Sequence, residues 1–73
     1  MQTTVLSVGS VTYAMKAVRI LRRIGIQAKT VKLDTNKTAK GCTHGIELAT
    51  RDVFRAVKEL QQQQIPYERY PFL

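Results

Sequence analysis

Between residues 11 and 24 the apolar side chains Val11, Ala14, Ala17, Val18, Leu21 and Ile24 recur at steps of three and four, with Thr12, Lys16, Arg19 and Arg23 in between. That spacing draws one apolar stripe along an α-helix, and a helix with such a stripe needs an apolar surface to lie on. The ends of the stripe are marked as well. Ser10 suits the N-cap, Gly25 suits the C′ position, and Arg22 and Arg23 suit the negative end of the helix dipole.

A second stripe, Val53, Ala56, Val57 and Leu60, predicts a helix from Arg51 to about Gln63, with Thr50 placed to cap it and Ile65-Pro66 to end it. The run Gln61 to Gln64 reads most simply as the solvated end of this helix. The stretches around the helices alternate like strands. Thr3 to Val8 leads into a turn at Gly9-Ser10; Gln27 to Leu33 sets Lys29, Val31 and Leu33 on one side and Ala28, Thr30 and Lys32 on the other. Asp34 to Gly41 is a polar loop, longer than a tight hairpin. Gly45 to Ala49 resumes a strand in which Ile46 and Leu48 share a side, joined by Cys42 and His44 if the strand begins that early. Tyr67 to Phe72 forms a last strand, and Pro66 and Pro71 at its ends suit an edge position.

The resulting order, β-α-β-β-α-β, predicts an α+β ferredoxin-like split sandwich, with two helices on one face of a four-stranded antiparallel sheet. No linker or repeat divides residues 1–73, so a single domain is expected, as a monomer or a homodimer. With 44% apolar residues the chain has the means to bury a core. No apolar run approaches the roughly 20 residues that span a bilayer, and Met1-Gln2-Thr3-Thr4 does not open a signal peptide. The cytoplasm is the expected compartment, with no membrane partner. A single cysteine, unable to close an internal disulfide, suits a reducing compartment.

In a sheet of this topology the first and third strands are antiparallel neighbours, so the end of the first lies beside the start of the third. Gly9 and Ser10 are therefore expected near Cys42, in the segment Gly41-Cys42-Thr43-His44-Gly45. The first helix begins at the same place, and its unpaired N–H groups and positive dipole end favour a thiolate. Lys37 and Lys40 in the adjoining loop and His44 add to that effect. One reading makes Cys42 a reactive thiol with Gly9, Ser10, Lys40, Gly41 and His44 as its surroundings; the other makes it a small buried hydrophobe. His44 polarises the thiol, contributes to a metal site or plays a structural part. Cys-x-His supplies two ligands where structural zinc needs four, so a metal site would need a second chain.

Twelve Lys and Arg against five Asp and Glu give a formal charge of +7, and no acid precedes Asp34. The imbalance favours an anionic partner. Lys16, Arg19 and Arg23 on one side of the first helix form either its solvated face or a docking stripe for acidic proteins. Nucleic acid is disfavoured, because the central strands carry Val5, Leu6, Ile46 and Leu48 where a single-stranded RNA platform carries stacking aromatics. Signatures of an enzyme are missing too: neither a carboxylate pair near the thiol, nor a phosphate-binding glycine motif, nor an acid-base-nucleophile triad is present.

These features together carry a resemblance: a short strand ending in Ser7-Val8-Gly9-Ser10, a helix of the form Ala14-x-x-Ala17-x-x-x-Leu21-x-x-x-Gly25-Ile26, a polar loop leading to Cys42, an aliphatic strand and a closing helix. Over nearly its whole length the chain resembles the small selenium/sulfur carrier-like proteins. In this chain Thr43-His44 intervenes between Cys42 and the next glycine. The resemblance implies a non-enzymatic carrier in which Cys42 holds a sulfur or selenium atom. Its partners would be a donor such as a cysteine desulfurase and an acceptor protein, and no bound cofactor is called for. The alternative expectation is a basic ferredoxin-like regulatory module that binds protein or nucleic acid, with Cys42 structural. A copper-carrier reading fits the fold but needs two cysteines in one loop.

Overall fold

The structure, a computed structural model, describes residues 2–38 and 43–70. Its elements are β1 (Thr3–Ser7), α1 (Val11–Arg23), β2 (Ala28–Lys32), a 3-10 turn (Thr35–Lys37), β3 (His44–Ala49), a second 3-10 turn (Thr50–Asp52), α2 (Val53–Gln62) and β4 (Glu68–Tyr70). The strands form one antiparallel sheet in the order β2-β3-β1-β4. This is the ferredoxin-like arrangement expected from the order of the elements, with β4 at an edge. The last-strand expectation reached Phe72, and residues 71–73 lie outside the described ones.

The stripes of the two helices pack on one face of the sheet. Leu21, Ile26, Ile46, Leu60 and Val8 are fully buried there, with Ala14, Ala17, Val18, Leu6, Leu48 and Ala56 around them. Each buried Leu or Ile contributes about 1.5–3 kcal/mol relative to remaining in water. Not all of the spacing translates into burial. Val11 and Ile24, the two ends of the α1 stripe, are exposed, while Ile20 packs partly against the core.

Strand β2 presents its more polar row to the helices. Its register pairs Ala28 with Leu48, Thr30 with Ile46 and Lys32 with His44, so that row shares the helix-covered face. Of the other row, Leu33 is buried yet stands apart from the main core, packed by the side of Gly45 on the opposite face. Tyr70 of β4 holds the chain there, its hydroxyl accepting a hydrogen bond from Asp34 N at 3.2 Å.

Both helices end in the same way. After α1, Gly25 adopts φ +86°, Ile26 N donates to Leu21 O at 2.9 Å and Gly25 N to Arg22 O at 3.1 Å, which is a Schellman motif. After α2, Gln64 takes the glycine's place at φ 59°, with Ile65 N donating to Leu60 O at 3.0 Å and Gln64 N to Gln61 O at 3.1 Å. The glutamine run is the solvated end of the helix, as expected, and its last residue forms a left-handed cap. Its side chains are tied locally, Gln61 Nε2 donating to the Tyr67 hydroxyl at 3.0 Å. Because a side chain at positive φ is strained where glycine is not, Gln64→Gly is expected to stabilise the fold by about 0.5–1 kcal/mol. Urea denaturation measures the gain; an unchanged or lower midpoint would show that the Gln64 side chain outweighs the strain.

Thr50 does not cap the second helix as the sequence suggests. Its hydroxyl pairs with that of Thr4 at 2.8 Å, and a 3-10 turn intervenes before α2 begins. The side chain of Asp52, the residue before α2, makes no cap hydrogen bond either. The cross-strand partner wins because Thr50 continues the β1–β3 ladder, with Thr50 N donating to Gln2 O at 3.1 Å.

Candidate functional site

The site expected from the sequence centres on the junction where β1 ends and β3 begins. Ser7 lies opposite Gly45, and Val8 N donates to His44 O at 3.4 Å, so the two central strands stay paired up to that junction. Gly9 then reverses the chain at φ +94°, and Ser10 caps α1, its Oγ accepting from Tyr13 N at 3.2 Å. Gly9, Ser10 and His44 therefore belong to one corner of the molecule. Cys42, Gly41 and Lys40 lie outside the described residues. Thr43, the residue after Cys42, is described: its carbonyl accepts from Leu33 N at 2.8 Å.

The corner joins a helix start to polar and charged residues, with Glu68 of β4 paired opposite Ser7. No acidic residue occurs in the first turn of α1, and the N–H groups of Val11 and Thr12 have no partner among the described residues. They point the positive end of the helix dipole outward. His44, half-buried, faces Lys32 across the β2–β3 ladder, and its Nδ1 lies 2.9 Å from the Thr43 hydroxyl. That contact holds the imidazole beside the start of the strand. Lys37 is exposed on the 3-10 turn of the loop. The carboxylate of Asp34 is turned onto the loop itself, accepting from Asn36 N at 3.0 Å.

Lys16, Arg19 and Arg23 are all exposed on the outer side of α1, away from the core residues Ala14, Ala17, Val18 and Leu21. They form a stripe separate from the corner at Gly9 and Ser10. Sequence reasoning named Arg19 and Arg22 on α1 but not Met15, nor the neighbours of that flank, which with Val18, Lys29 and Thr30 line a shallow groove. The signal was present in the seven-residue step from Met15 to Arg22, which lines one flank of a helix, but naming its neighbour required the sheet order.

Among the described residues, no group of three or more His, Cys, Asp and Glu is arranged to hold a metal ion. Among them, too, no helix is long and apolar enough to cross a membrane. No protein-family model, no curated protein and no solved structure matches this chain.

Proposed function

We propose that the protein is a sulfur or selenium carrier that holds the atom on Cys42 and passes it to a partner enzyme. The observation that supports this reading is the junction itself. The free N–H groups of Val11 and Thr12, the Gly9-Ser10 turn and His44 gather where β1 meets the start of β3, immediately after Thr43. A corner with free amides at a helix start and no acid in the helix's first turn favours an anion, and both the thiolate and the persulfide of Cys42 are anions.

The transfer is an exchange at sulfur. The Cys42 thiolate attacks the outer sulfur of a donor persulfide; the donor's S–S bond breaks, its cysteine leaves as a thiolate, and a new S–S bond forms on Cys42. Delivery repeats the step in reverse sense: the acceptor's nucleophile takes the outer sulfur and Cys42 leaves as thiolate. Neither half-reaction needs an external oxidant or reductant, because the transferred sulfur keeps its oxidation level. A selenium atom follows the same route as a selenosulfide. Lys40 and the Gly9-Ser10 corner stabilise the anion, His44 relays the proton, and Lys16, Arg19 and Arg23 attract acidic partners.

Incubation with a cysteine desulfurase and free cysteine, followed by intact-mass spectrometry, is expected to show one added sulfur atom on the wild-type chain and none on Cys42→Ala. The adduct should be lost on treatment with a thiol reductant. A wild-type chain that stays unmodified while a known acceptor in the same tube is loaded would sink the carrier reading.

A further inference from the structure

Among the described residues, strand β2 has a neighbour on one side only. The hydrogen bond from Leu33 N to Thr43 O fixes the phase of its ladder: Lys29, Val31 and Leu33 turn their N–H and C=O groups toward β3, and Ala28, Thr30 and Lys32 turn theirs outward. Those outward groups meet no partner among the described residues. They form a free edge at which another strand can pair.

Beside this edge, on the face the helices cover, runs a groove lined by Met15, Val18, Arg19, Arg22, Lys29 and Thr30. Its apolar lining is Val18, which is buried, and Met15, which is 56% exposed. Its rim is cationic. Arg19 and Arg22 are exposed and pair with no acid among the described residues, and neither does Lys32 at the end of the strand. Lys29 is already engaged with Glu47 at 3.2 Å, so the unneutralised charge sits on the α1 side of the edge.

We propose that β2 receives an extended, acidic segment of a partner protein as a fifth strand, with the carboxylates of its helix-side face directed at Arg19, Arg22 and Lys32. The backbone ladder supplies affinity, and the alternate side chains supply selection. Two other occupants fit less well. A second copy pairing edge to edge would bring Arg19, Arg22 and Lys32 of both chains together, a like-charge contact that lysines on edge strands serve to prevent. A nucleic-acid strand would find cations but no aromatic among the groove residues to stack on. The inference makes no use of Cys42; it shares Arg19 with the docking stripe of the carrier proposal, and the backbone pairing of β2 is what sets the two apart.

The test uses the full chain, labelled with nitrogen-15, and a fluorescein-labelled peptide of about ten residues alternating Glu and Val, long enough to cover the strand. Amide exchange at Thr30 and Lys32 is expected to slow by about tenfold or more on binding. Arg19→Gln with Arg22→Gln, two exposed changes whose folding is checked by circular dichroism, should weaken the peptide by about tenfold or more. The same peptide methylated on alternate backbone nitrogens should not bind, and Cys42→Ser should bind as the wild type does. The proposal is overturned by any of four results. These are no binding at about millimolar peptide, protection confined to other amides, equal binding of the methylated peptide, or displacement by a single-stranded RNA. A homodimer that protects Thr30 and Lys32 without peptide would also overturn it, in favour of a second copy.

Discussion

Gly45→Ala is expected to remove about 3 kcal/mol or more of folding stability, a loss that a chain of this size scarcely tolerates. A Cβ at this position would overlap the Leu6 carbonyl oxygen and stand 3.1 Å from the Leu6 carbonyl carbon and from Leu33 Cδ1. The Leu33 side chain can turn aside. The carbonyl of Leu6 cannot, since Leu6 pairs with Ile46 in the middle of the sheet, and moving it separates the two central strands. Gly25 provides the control. A methyl there meets nothing within 4 Å, so Gly25→Ala carries only the cost of a side chain at φ +86°, about 1 kcal/mol. Thermal and urea unfolding of the two variants side by side checks the comparison. Equal losses would mean that β3 shifts past β1 without resistance. Because Gly45 lies opposite Ser7, any such shift would also move His44 relative to the start of α1, and the carrier assay on the surviving folded fraction would register it.

The second large effect is expected at Leu21. Its side chain is fully buried under α1, and its carbonyl accepts Ile26 N at 2.9 Å in the motif that ends the helix. Leu21→Ala removes the buried methyl groups and leaves a cavity, at a cost of about 3 kcal/mol within the usual range of about 2–5. In a domain of this length each kcal/mol lowers the melting temperature by about 4–8 °C, so a fall of about 12 °C or more is expected. Ile24 belongs to the same apolar stripe in the sequence but is 36% exposed, and Ile24→Ala is expected to cost under about 1 kcal/mol. A calorimetric scan of both variants tells whether burial, rather than membership of the stripe, sets the energy.

That contrast marks where the chain's pattern was readable. The inner residues of both stripes are buried or half-buried as their spacing implied, because a helix has one periodicity and needs only a surface to meet it. The ends of the stripes were ambiguous, since nothing local tells which residues at a helix end the rest of the chain covers. The same difficulty governs Thr50. Locally it is a sound N-cap, but a hydroxyl with a cross-strand neighbour at 2.8 Å has a competing partner that no local signal reveals. Gln64 shows the converse, where a left-handed cap lacks the glycine that would announce it.

For the candidate site, Gly9, Ser10 and His44 were legible as neighbours, because the ferredoxin-like order of elements sets β1 and β3 side by side and antiparallel, so that the end of one meets the start of the other. The placements of Lys40, Gly41 and Cys42 lie outside the described residues, and the role proposed for Cys42 rests on chemistry to be measured. The groove beside β2 was not legible. Its members come from α1 and from an edge strand whose polar row faces the helices, and only the sheet order sets Met15 and Arg22 against Thr30.

By itself the sequence determined the elements, their order, the caps at Ser10 and Gly25 and the excess of positive charge, because each depends on residues within a turn or two of one another. The tertiary structure alone decided which row of β2 meets the helices, why position 45 admits no side chain, and where α1 and a free strand edge make a cationic groove. Those outcomes depend on the pairing of segments far apart in the chain, where the energy lies in contacts that neither segment encodes alone.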